Sequence, residues 1–76
     1  MKSSLLERLG NVFRKRRLAL GHSQESFADL IGMHRTYYSA LERGEKNLQM
    51  DTLEKVCAGL KTRPWEVLKD AESAAK

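Results

Sequence analysis

The chain of 76 residues holds one cysteine, one proline, one tryptophan and two histidines. With Cys57 as the sole cysteine, an internal disulfide is excluded, and a reducing, cytoplasmic setting is expected. His22, His34 and Cys57 are too scattered to form a metal site, so neither metal nor cofactor is expected. No apolar stretch approaches the roughly 18 residues needed to cross a bilayer, which sets a membrane partner aside. The first residues, with Lys2, Glu7 and Arg8 among a few leucines, lack the hydrophobic stretch of a signal peptide. Catalysis finds no support either. His22 and Ser23 are neighbours, but no third group orients them and a chain this small leaves little room for a pocket. Repeats, low-complexity segments and internal linkers are also missing.

What is present suits a small helical core. Hydrophobic residues make up 41% of the chain, well above a disordered composition. The net charge of +4 is unevenly placed. Residues 1–20 carry Lys2, Arg8, Arg14, Lys15, Arg16 and Arg17 against Glu7 alone, whereas residues 48–76 balance. A basic segment on a small domain fits a phosphate backbone, and on its own fits a solvated helix equally well.

Periodicity predicts an all-α fold of five helices in one domain spanning residues 1–76. Leu6, Leu9, Phe13 and Leu20 form one stripe of a first helix from Ser4 to Leu20, closed by Gly21. Ser23 caps a second helix whose buried face is Phe27, Leu30 and Ile31. A third starts near Arg35, behind His34, and ends at Gly44. Leu53, Val56, Cys57 and Leu60, at i, i+3, i+4 and i+7, mark a fourth from Met50 to about Gly59. Cys57 reads as a small core residue, with a redox switch as the alternative. Pro64 opens a fifth helix with Trp65, Val67 and Leu68 as its apolar content. The tail 71–76 has no large side chain and is expected to fray.

The segment from Ser23 to Gly44 is the most informative. Two short helices are joined by a tight turn. Ala28 permits close helix crossing, Gly32 supplies a permissive backbone, and Tyr38 and Leu41 return the later helix to the core. Its outward side carries Arg35, Thr36, Tyr37 and Ser39, side chains able to bond bases and phosphates. Arg35 has the guanidinium fork that matches guanine O6 and N7, or else grips phosphate. Thr36 and Ser39 suit either a base or a phosphate, and Tyr37 a base or the sugar–phosphate edge. His34 sits at the helix start, where it is expected to touch phosphate.

With Ser23-Gln24-Glu25, the Ala28/Gly32 spacing and the Leu41-Glu42-Arg43-Gly44 ending in place, the chain resembles the Cro/repressor-type helix-turn-helix family of DNA-binding transcriptional regulators. The resemblance runs from Leu9 to about Leu68. His34-Arg35-Thr36-Tyr37, then Ser39, Glu42-Arg43-Gly44 and Asn47, are most similar to the controller proteins of restriction–modification systems. Phage- and plasmid-type repressors share most of these letters. The resemblance implies a lambda-repressor-like fold whose third helix lies in the major groove, in homodimers that bind two-fold-related half-sites on double-stranded DNA.

By position, the resemblance also implies roles. Gln24 would contact phosphate beside the recognition helix. Arg35, Thr36, Tyr37 and Ser39 would meet bases and adjacent phosphates. Arg43, Lys46 and Asn47 would grip the backbone. Arg17 and Glu42 would form a partly buried ion pair between the first and third helices. The departures are His34, where Ser or Asp more often caps, Tyr38 at a position usually aliphatic, and Arg16 at another. Trp65, Val67 and Leu68 are expected to supply the dimer interface. With no effector domain, such a regulator acts through concentration and operator spacing, and activates by touching RNA polymerase with its own surface. The rival of another class is an antitoxin or adaptor that uses the fold to bind protein.

Overall fold

The computed structural model describes residues 4–73. Five helices occupy it: α1 Leu5–Ala19, α2 Gln24–Leu30, α3 Arg35–Glu42, α4 Met50–Leu60 and α5 Pro64–Ser73. The starts of α1 and α2 have a local cause in a side-chain cap. Ser4 and Glu7 form a reciprocal cap on α1: the Ser4 hydroxyl accepts from the Glu7 amide at 3.1 Å, and the Glu7 carboxylate accepts from the Ser4 amide at 2.9 Å. Ser23 caps α2 by accepting from the Ser26 amide at 3.0 Å. His34 and Gln49 precede α3 and α4 without a side-chain cap.

The turn between α2 and α3 is closed by backbone bonds from the Met33 amide to the Ala28 carbonyl at 2.8 Å and from Gly32 to Asp29 at 3.2 Å. Gly32 takes φ +68°, a conformation that costs a β-carbon-bearing residue roughly 1–2 kcal/mol. This fixes how α3 leaves the body of the protein.

Leu9, Val12, Phe13, Phe27, Ala28, Tyr38, Leu41, Leu53, Val56, Cys57, Leu60, Val67 and Ala71 form one continuous core. Each large side chain buried there stabilises the fold by about 1.5–3 kcal/mol. Phe27 and Tyr38 meet at its centre, their rings 5.1 Å apart. Gly10 lets α1 press on the end of α3, because a β-carbon there would collide with the Leu41 and Glu42 carbonyl oxygens.

Several expectations need correction. Leu20 and Leu30 are exposed rather than buried, at 41% and 58%. Leu20 lies past the last turn of α1 and Val12 fills the inner face instead. Leu30 ends a helix too short to bury a full stripe, so Ala28 joins Phe27 inside. The fourth helix runs on through Gly59 to Leu60, and Lys61 takes the left-handed cap at φ +59°. Gly59 sits inside the helix as the residue that leaves room for the Ile31 and Phe27 side chains, which lie where a β-carbon would be. The expected fraying does not begin at Ala71, which is buried in the core while the helix continues to Ser73. Residues 74–76 lie outside the described residues. Arg16 lies between α1 and α5, donating to Asp70 at 2.8 Å and Thr62 at 3.2 Å, so its place needs no aliphatic side chain.

Candidate nucleic-acid interface

The short α3 sorts its residues by side. Tyr38, Ala40, Leu41 and Glu42 turn inward. Arg35, Thr36, Ser39 and Arg43 recur at helical spacing on the opposite side and line one open cleft together with Gln24 from the start of α2. These five are the predicted residues that the fold brings together. Tyr37 leaves the group, being half-buried and packed against the core. His34 lies in a neighbouring depression with Asp29, Gly32, Met33 and Arg35. Lys46 and Asn47 are exposed in the loop after α3.

Within the cleft Arg43 is held by its neighbours. It donates to the Ser39 hydroxyl at 2.6 Å, and its Nε lies 3.0 Å from Glu45. The hydrogen bond from Arg43 holds the Glu45 carboxyl below its usual value.

Behind the cleft lies the ion pair. Arg17 Nε donates to Glu42 at 2.6 Å and a terminal nitrogen donates to the other carboxylate oxygen at 3.1 Å, a bidentate pairing. The two side chains are only 6% and 2% exposed. The remaining Arg17 nitrogen donates to the His22 carbonyl at 2.8 Å, and Gln24 Nε2 donates to Glu42 at 2.8 Å. The buried pair therefore joins α1, the α1–α2 turn, α2 and α3, with Arg17 reaching the turn and Glu42 reaching α2. Burial alone would push the Glu42 carboxyl up; the hydrogen bonds, led by Arg17, outweigh it and hold the group below the ordinary carboxylate value. The Glu42 hydrogen bond raises Arg17 in turn. Tyr38 is pushed up, chiefly by burial, and stays a neutral phenol. Its hydroxyl lies beside Glu42 but outside hydrogen-bonding geometry.

Two features escaped the sequence reading. Asn11 and Arg14 of α1 line a second cleft that shares Gln24, Ser39 and Arg43 with the first. The basic charge of residues 1–20 was the available signal, but it could not say which of six cations faces α3. Leu5, Leu6, Leu9, Leu48, Met50, Leu53 and Leu68 enclose an apolar hollow, with Met50 76% exposed. Of the expected dimer set, only Leu68 belongs to it. Val67 is wholly buried in the core and has no surface left for a second subunit, because it occupies the inward position of α5. Trp65 is 62% exposed and does not line the hollow.

A family model described as helix-turn-helix matches residues 13–67. The chain belongs to the helix-turn-helix family. This helix-turn-helix protein is 44% identical over 66 residues to the control protein C.MunI from a Mycoplasma species, covering 86% of this chain and 89% of the relative. Its fold matches the clp gene regulator ClgR of C. glutamicum with a TM-score of 0.93 at 29% identity, over 100% of this chain and 97% of the other. It also matches the restriction–modification controller protein C.Esp1396I, solved as a tetramer with its natural 35 base-pair operator, with a TM-score of 0.80 at 35% identity, over 93% and 99% of the two chains. Among the described residues, no helix is long and apolar enough to cross a membrane.

Proposed function

We propose that this helix-turn-helix DNA-binding regulator is a restriction–modification controller that acts as a homodimer on a pseudo-palindromic operator. One observation carries the reading: Gln24, Arg35, Thr36, Ser39 and Arg43 meet in a single solvent-facing cleft on α3. The chain is similar over nearly its whole length to control proteins, one of them bound to its operator. In this reading α3 lies in the major groove and Arg35 reads a base, with guanine the best match to its fork. Gln24, Arg43, Lys46 and Asn47 hold phosphates and set the register without reading sequence. Tyr37 is anchored on the core and reaches the sugar–phosphate edge. The residues present suggest no catalytic role, and the chemistry is recognition alone.

A palindrome places two recognition helices about 34–36 Å apart, so the subunits need a fixed two-fold contact. The apolar hollow between α1, α4 and α5 supplies one, with Leu5, Leu6, Leu48, Met50 and Leu68 facing a second copy. Mobility shift on DNA from upstream of the protein's own gene tests the function. A sequence-specific shift supports the regulator; no binding even at low salt favours the adaptor reading.

A further inference from the structure

The buried pair does more at the surface than brace the helices. Among the described residues, Glu42 and Arg17 are the charged side chains in the buried set. Its two carboxylate oxygens already take both Arg17 donors, and one of them also accepts from Gln24 Nε2 at 2.8 Å. A carboxylate facing an ion-paired guanidinium is ionised and only accepts hydrogen bonds. The Gln24 amide must therefore turn its nitrogen, not its oxygen, toward Glu42. A primary amide nitrogen carries two hydrogens. With one committed to Glu42, the other is left to the cleft that Gln24 lines with Arg35, Thr36, Ser39 and Arg43. A phosphate oxygen is an acceptor, so this orientation suits it and the flipped amide would repel it.

We propose that Glu42 is a positioning residue for DNA binding: it fixes the Gln24 amide with an N–H aimed at backbone phosphate, a role that rests on reading Gln24 as a phosphate contact. The free protein thereby enters the complex with that donor already set, and the cost of ordering a rotamer-rich side chain is met in folding instead of in binding. The ion pair and the DNA surface are one connected network, and the buried Arg17 influences DNA affinity without touching DNA itself.

The test is a cycle of variants read by dissociation constant on operator and random duplexes, with circular dichroism as the check on fold. Gln24→Leu is expected to weaken both duplexes by about tenfold, the scale of a hydrogen bond to a charged group. Because the amide is neutral, the salt dependence should keep its slope. The background Arg17→Met/Glu42→Leu removes the acceptor without stranding a buried charge. There Gln24→Leu should cost about threefold or less. A tenfold loss in both backgrounds overturns the positioning role and leaves the phosphate contact standing. No loss in the unmodified background overturns the phosphate contact itself. A readout independent of those variants is the side-chain amide of Gln24 in the 15N-labelled wild-type protein. One proton shifted downfield and slow to exchange supports the fixed orientation; random-coil shifts and fast exchange for both protons overturn it.

Discussion

Glu42 and Arg43 are adjacent in the chain, yet each joins an ion pair of a different kind. The Arg17–Glu42 pair is nearly closed to solvent at 2.6 Å, while Arg43 and Glu45 face each other at 3.0 Å with side chains 52% and 58% exposed. The chemistry is the same and the environment is not. In the buried pair, water cannot replace a lost partner, so each charge depends on the other. In the exposed pair water and salt screen the attraction, and the arginine remains free to exchange a carboxylate for a phosphate. The end of α3 thus carries a structural clamp inside and, in the function proposed above, a phosphate grip outside.

The largest expected effect breaks the inner pair. Glu42→Ala should cost about 3–5 kcal/mol by leaving Arg17 charged and buried. For a domain of this size that means a melting temperature lower by more than about 10 °C. A melt within a degree of wild type would show that the pair carries no such weight. Acid should reach the same weakness without mutation. The Glu42 carboxyl lies below its unfolded value, so its contribution is complete above the unfolded value near 4.3 and is lost as pH falls through the folded value. The urea midpoint should therefore drop in that acid window, and drop less in Arg17→Met/Glu42→Leu.

Next in size is the outer surface. Arg35→Ala should cost roughly 1–3 kcal/mol on the operator and relax preference at one base pair, while binding to random DNA changes less. Equal losses on both duplexes would make Arg35 a phosphate contact. Leu68→Asp with Met50→Asp should convert dimers to monomers by sedimentation equilibrium and lower operator affinity with the helical content unchanged. Full dimerisation of that variant would move the interface away from the α1–α4–α5 hollow. The smallest effect sharpens the contrast directly: Glu45→Gln should leave the melting temperature unchanged, and a clear fall would mean that the exposed pair is structural after all.

The elements of this fold were legible because their signals are local. Ser4, Ser23, Gly21 and Pro64 act within one turn of the residues they cap, start or stop, and the i, i+3, i+4, i+7 spacing of Leu53, Val56, Cys57 and Leu60 needs only a helix to share a side. The errors arose where one helix meets another. Leu30 carries the right spacing for burial, yet it faces solvent while the adjacent Ile31 packs on the core. Gly59 looks like a stop until Ile31 and Phe27 are brought against it. Val67 and Leu68 are neighbours of equal hydrophobicity, and only the lie of α5 on α1 and α4 separates core from surface.

The same division holds for the site. The sequence by itself determined five helices, a helix-turn-helix with Arg35, Thr36 and Ser39 on the outer side of α3, and the residue types for reading DNA, since periodicity and capping are properties of neighbouring residues. Tertiary structure alone decided that Gln24 and Arg43 share their cleft, that Tyr37 rests on the core, and that the Arg17–Glu42 pair reaches the surface through Gln24. Those contacts join residues as far as 25 positions apart. Their distance, burial and hydrogen-bond direction come into being only when α1, α2 and α3 close on one another.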